Sequence, residues 1–204
     1  MVCVVSSEQY GYGYGCEESM VSQECCRRAE SCGCECTRTS GCKGMAVGSY
    51  RRGNSSSGDV DILFTHPCKG AEVGMLPRLL SSLQSDGFLT HHLVRVRDDT
   101  RQWMGVCKVK RENSVHRRID IKVYTADEFP FALLYFTGSA YFNRSMRNYV
   151  DHLGFSLSDK ELTKVVRGKG NKILQRCGTV PCRDEKDIFH KLGLAYVSPK
   201  DRNM

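Results

Sequence analysis

No apolar run in the 204-residue sequence approaches the roughly 18 to 20 residues that a bilayer-crossing helix needs. The first 30 residues, MVCVVSSEQYGYGYGCEESMVSQECCRRAE, lack the basic start and the apolar stretch of a secretion signal, so the chain reads as a soluble intracellular protein. Residues 1–44 have no histidine and almost no aliphatic side chain after Val21, which leaves nothing there to build an apolar core. No internal repeat is present, and no repeat architecture is expected.

The whole chain is 40% hydrophobic and 26% charged, enough for one domain or two small ones with a real core. The net charge of +7 is unevenly placed. Residues 1–44 carry 4 Lys and Arg against 6 Asp and Glu, whereas residues 45–204 carry 26 against 17, an excess that suits a polyanionic partner. Cysteine is uneven too, with 8 of the 12 in the first 44 residues. That segment is read as poorly ordered. Its thiols could bind a soft metal, but the run Cys32-Gly-Cys-Glu-Cys36 lacks the paired C-x2-C spacing of a zinc ribbon, and a reducing compartment disfavours a disulfide framework. No metal ligand is assigned there.

Periodicity organises the rest. Met45–Tyr50 is strand-like and breaks into a Gly- and Ser-rich loop, Arg51-Arg-Gly-Asn-Ser-Ser-Ser-Gly58. Residues 59–65 alternate as a strand, with Asp59, Asp61 and Leu63 on one side and Val60, Ile62 and Phe64 on the other. Leu76, Leu79, Leu80 and Leu83 have helical spacing within 75–86. Residues 102–109 and 117–124 read as strands, the second with Arg118, Asp120 and Lys122 on one face. Helices are expected at 127–136, at 140–153 behind the cap Ser139, and at 184–192; a short strand pair is expected at 155–158 and 164–166, and a loop at 167–170.

The chemistry concentrates in Gly48-Ser49 followed, after nine residues, by Asp59-Val-Asp61. Carboxylates at i and i+2 of a strand point the same way and can share a hard cation such as Mg²⁺. Asp120, on a later strand, offers a third carboxylate for a pair of metals about 3.5 to 4 Å apart. Backbone N–H groups of the loop, together with Arg51 and Arg52, suit phosphate oxygens. Taken singly, an Asp-x-Asp strand is more often a solvated edge and an Arg-Arg-Gly loop a surface turn. Their succession in one stretch is what gives them weight. Tyr135 and Phe136, read alone, are the end of an apolar helix face, and Asn143 and Arg147 an exposed one.

The stretch from Gly48 to Pro67, the run Arg117-Arg-Ile-Asp-Ile121 and the run from Ala132 to Arg147 resemble the family X DNA polymerases, within the wider nucleotidyltransferase superfamily. The resemblance covers about residues 45–204. It implies an α+β fold: a nucleotidyltransferase-type palm over 45–125, a mixed sheet with helices on one face, followed by a small α/β thumb over 126–204, with 1–44 outside both.

The resemblance also implies roles. Asp59, Asp61 and Asp120 would hold two Mg²⁺ ions, with Mn²⁺ able to substitute, and Asp120 would help to deprotonate the primer 3′-hydroxyl. Gly48, Ser49, Arg52, Ser57 and Gly58 would hold the nucleotide triphosphate, Tyr135, Phe136 and Gly138 the sugar and nascent pair, and Asn143 the incoming base. Arg118 would steady the third carboxylate and, with Arg144 and Arg147, meet DNA. The implied partners are a primer–template or gapped DNA and a dNTP, with repair proteins besides, for a monomeric enzyme acting in the nucleus in gap filling, base excision repair and end joining. Members that use little template carry Gly-Trp where this chain has Tyr135-Phe136, so template-directed synthesis is expected. The lyase and fingers regions that the resemblance would place before Gly48 have no counterpart, and no lyase activity is expected. A truncated, catalytically silent palm–thumb fragment and a transferase with little template dependence are the alternatives.

Overall fold

The computed structural model describes residues 42–97 and 99–203. They form two compact units, one built from Ser57–Ala126 with the described residues before Val47, the other from Val47–Ser56 with the described residues from Asp127 onward. Each has its own apolar core.

The first unit is a five-stranded mixed sheet in the order β1-β2-β5-β4-β3. Its strands are β1 (Lys43–Ala46), β2 (Asp59–His66), β3 (Leu89–His92), β4 (Gln102–Cys107) and β5 (Arg117–Thr125). Only β2 and β5 run parallel; the other neighbours are antiparallel. The expected alternation holds: Ile62 and Phe64 of β2 pack with Ile119, Ile121 and Val123 of β5 in one core. The helix Met75–Ser85 contributes Leu76, Leu79, Leu80 and Leu83 to that core. Burying each such leucine is worth roughly 1.5–3 kcal/mol against the entropy of ordering it.

In the second unit the helices Phe129–Thr137, Ala140–His152 and Glu185–Lys191 accompany a three-stranded antiparallel sheet of β6 (Phe155–Leu157), β7 (Leu162–Arg167) and β8 (Ile173–Val180). The Ser139 hydroxyl accepts from the Phe142 N–H at 3.3 Å and so caps its helix, as its position in the sequence implied. Phe131, Leu134, Phe142, Met146, Ile188 and Phe189 are central to this core. Among the described residues no helix is long and apolar enough to cross a membrane.

Three expectations need correcting. The strand-like run Met45–Tyr50 is a strand only to Ala46, because Gly48 takes φ +62° and turns the chain into a helical turn over Gly48–Arg51. Strands β3 and β8 were not expected; β3 buries one residue and β8 is exposed along most of its length, so neither leaves a pattern of alternation. The amino-terminal segment was expected to be poorly ordered to residue 44, yet Cys42 is buried in the first core and Lys43 opens β1 opposite Thr65. The rest of that expectation lies outside the described residues.

Candidate active site

The parallel pairing of β2 with β5 builds the centre of the site. Its register puts Asp61 opposite Asp120 and Asp59 opposite Arg118. Asp120 is buried at 8% exposure, while Asp59 and Asp61 are half-buried. Arg118 forms an ion pair with Asp59, and its Nε stands 3.6 Å from Asp120 Oδ1. Lys122 Nζ lies 3.8 Å from Asp120 Oδ2. Burial pushes the Asp61 carboxyl above its ordinary range; Lys122 pulls it back, the charges of Asp59 and Asp120 push it further up, and Arg118 opposes them.

Asp120 Oδ1 is buried and accepts no hydrogen bond, and the charge of Arg118 Nε, 3.6 Å away, meets it without a directed bond. Such an oxygen is costly unless something positive meets it. With an all-oxygen donor set on two facing strands, the chemistry fits a hard divalent cation better than a soft one. Among the described residues no three His, Cys, Asp or Glu side chains converge as a metal centre. The Asp59 carboxylate is paired with Arg118. Asp61 and Asp120 are thus the pair that the fold presents, and Asp59 shares their side of the sheet. Ser57 and Gly58 lead directly into β2, Gly58 exposed with open space beside its Cα.

In the second unit, Gly48 and Ser49 lie in the helical turn with Arg51. The Arg51 guanidinium donates to Glu185 Oε1 at 3.1 Å and Oε2 at 3.0 Å, which ties the turn to the helix Glu185–Lys191. Arg202, fully buried, donates to the same Oε1 of Glu185 at 2.7 Å and lies over the rings of Phe142, Phe189 and Tyr196. Burial pushes Glu185 up, but hydrogen bonds and charges from Arg51 and Arg202 outweigh it and hold the carboxyl below its usual range. Arg52 remains half-buried, tethered by its Nη1 to the Thr137 carbonyl at 2.6 Å and by its Nε to Asn203 Oδ1 at 2.7 Å. The sequence assigned no role to Glu185, Arg202 or Asn203, whose partners are brought to them by the fold.

The aromatic pair also departs from its bland reading. Tyr135 is exposed and Phe136 half-buried, their rings edge to face at 5.0 Å, and neither belongs to the core of the unit. Asn143 donates to the Tyr135 carbonyl at 2.6 Å, and the Arg147 guanidinium lies 5.9 Å from the Tyr135 ring centre. These three line a small, solvent-open pocket with Phe131, Leu134, Met146, Leu157 and Ser158. Arg144 points elsewhere, over Tyr141, and Gly138 is buried at the end of its helix.

Two family models match the chain, DNA polymerase beta palm over residues 27–126 and DNA polymerase beta thumb over residues 132–203. DNA polymerase lambda of Rattus norvegicus is 44% identical over 162 residues, which cover 78% of this chain and 28% of that protein. DNA polymerase lambda of Arabidopsis thaliana is 31% identical over 165 residues, 77% of this chain and 31% of that protein. The chain therefore spans about three tenths of the length of these curated relatives. The α+β architecture, the palm and thumb matches that follow one another along the sequence, and the extent of identity agree, and the chain belongs to the family X DNA polymerases.

Proposed function

We propose that this chain is the palm and thumb of a template-directed DNA polymerase that transfers a nucleotidyl group from a dNTP to a primer 3′-hydroxyl. The observation that carries this reading is the facing pair Asp61 and Asp120, with a buried carboxylate oxygen that accepts no hydrogen bond. Asp61 and Asp120, joined by Asp59 when Arg118 releases it, would hold two Mg²⁺ ions. When bound, these would supply Lewis-acid stabilisation of charge on the attacking and leaving oxygens.

The remaining work falls to the chain. Asp120, the most buried of the three, would take up the proton of the primer 3′-hydroxyl. Gly48, Ser49, Arg52, Ser57 and Gly58 would bind the triphosphate, donors and a guanidinium being what phosphate oxygens require. Tyr135, Phe136 and Gly138 would position the sugar and nascent pair, Asn143 the incoming base, and Arg118, Arg144 and Arg147 the DNA. Gap-filling repair, including base excision repair, and end joining in the nucleus would be the setting, with repair proteins as partners of a monomer. A second reading is a silent palm–thumb fragment.

Primer extension on a one-nucleotide gapped duplex, with the full chain and Mg²⁺, separates these readings. Incorporation that follows the template base and disappears in Asp120→Ala is the expected result. No incorporation by a folded chain would leave the silent fragment, and incorporation indifferent to the template base would indicate a transferase with little template dependence.

A further inference from the structure

The outer strand of the first sheet, β3, carries Thr90, His91 and His92, and its two histidines are held in opposite ways. His92 Nδ1 accepts from the Trp103 indole N–H at 3.0 Å, which leaves the proton of the neutral ring on Nε2, 3.2 Å from Gln84 Oε1. Both nitrogens of His92 are engaged, and its ring stands edge to face with Trp103 at 5.3 Å. It is a structural residue.

His91 differs. The Thr90 hydroxyl gives its one proton to the Val106 carbonyl at 3.2 Å, so towards His91 Nδ1, 3.1 Å away, it can only accept. The proton of the neutral His91 ring therefore sits on Nδ1, and the Nε2 lone pair is left bare on an exposed side chain. Metal-ligating histidines are held in this way, with one nitrogen donating to an oxygen and the other lone pair free. A second imidazole is at hand: the exposed ring of His116 stands edge-on to that of His91 with centroids 6.2 Å apart. With Zn–N bonds of about 2.0–2.1 Å, two imidazoles that share one ion have centroids roughly 5–6 Å apart. A small turn of either exposed ring closes the difference.

We propose that His91 and His116 form a two-imidazole site for a divalent transition ion of the zinc class, with water in the remaining positions and Thr90 as the positioning residue that fixes the His91 tautomer. The site is independent of the role proposed for Asp61 and Asp120. Imidazole nitrogen suits Zn²⁺, whereas carboxylate oxygen suits Mg²⁺, so the two kinds of ion sort themselves by donor. They share a face of the sheet: His91 pairs with Val106, Val106 with Arg118 and Arg118 with Asp59, a row of side chains on one side. The charge of Arg118 in that row is engaged by Asp59, which limits its repulsion of an ion at the outer strand.

The test is a Zn²⁺ titration of the full chain carrying ¹⁵N-labelled histidine, read by the long-range ¹H–¹⁵N spectrum of the imidazoles, for wild type, His91→Ala, His116→Ala and Thr90→Val. Each ring is read separately, so zinc taken up by the chain's cysteines does not enter the result. Before zinc, neutral His91 should show the Nδ1–H form. Zinc should then move Nε2 of His91 and one nitrogen of His116 together, at a concentration about tenfold or more below that which moves the exposed His152, because two linked ligands act as a chelate. His91→Ala should abolish the His116 response, and His116→Ala the His91 response. Thr90→Val should weaken the joint response about tenfold and mix the His91 tautomers, which a purely structural threonine would not do; if it does not fold, Thr90→Ala makes the same comparison. One ring responding alone, a His116 response that survives His91→Ala, or a joint response no tighter than that of His152 would overturn the site and leave an edge-to-face ring contact. An Nε2–H form of His91 in the wild type would overturn the part given to Thr90.

Discussion

Arg51 grips Glu185 with both terminal nitrogens, Nη1 to Oε1 at 3.1 Å and Nη2 to Oε2 at 3.0 Å, across 134 residues of sequence. Arg202 Nη1 donates to Oε1 as well, at 2.7 Å, and the Tyr196 hydroxyl donates to Oε2 at 3.2 Å. Glu185 is 4% exposed and Arg202 fully buried, so the group is a desolvated network and not a surface bridge.

Glu185→Gln should cost about 3–5 kcal/mol, because it leaves the buried guanidinium of Arg202 and the half-buried one of Arg51 with a neutral partner. Urea denaturation monitored by circular dichroism would measure it. The pH dependence has a definite sign. The folded-state carboxyl lies below its ordinary value of 4.5, so its stabilisation is present above that value and is lost as pH falls through the folded pKa. Wild type should lose stability steeply below about pH 4.5, and Glu185→Gln should show a flatter profile there. Equal slopes would remove Glu185 from the acid transition.

Gly105→Ala should destabilise the first unit. A Cβ at that position would stand 2.2 Å from Trp103 Cη2 and 2.5 Å from the His91 carbonyl oxygen, and the backbone contact cannot yield cheaply. Overpacking of this kind costs about 1–3 kcal/mol. Trp103 is the sole tryptophan, and its indole N–H donates to His92 Nδ1 at 3.0 Å. Its fluorescence should shift with the substitution, and an unchanged spectrum and midpoint would contradict the close packing.

Ser139→Ala should cost about 1 kcal/mol, since the hydroxyl caps the helix Ala140–His152 through the Phe142 N–H. Ser139→Asp, which can replace the capping oxygen, should recover most of the loss. Thermal melts of the three proteins would compare them.

The sequence made the carboxylate strands legible because β2 and β5 alternate in the classical two-residue period: Ile62 and Phe64, then Ile119 and Ile121, turn inward, and the acids are left on the other face. The leucines of Met75–Ser85 and the cap at Ser139 were legible for equally local reasons. The rest depends on distance along the chain. That Arg51 meets Glu185, or that Arg118 occupies Asp59, is decided by which elements the fold brings together, and no spacing encodes it. Exposure hid β8, whose residues between Ile173 and Val180 are all exposed and show no inward period. Gly48 hid the turn after β1, since a single positive φ ends a strand that composition alone would continue.

The most direct measurement is the rate of template-matched incorporation on gapped DNA by wild type and by Asp61→Asn at saturating Mg²⁺. Asp61→Asn keeps the size of the side chain and removes the charge that faces Asp120. Loss of incorporation by about a hundredfold or more, with the fold intact, is the expected result, because charge stabilisation at the reacting oxygens depends on that carboxylate. Incorporation at the wild-type rate by Asp61→Asn would contradict the assignment of the facing acids as the catalytic centre.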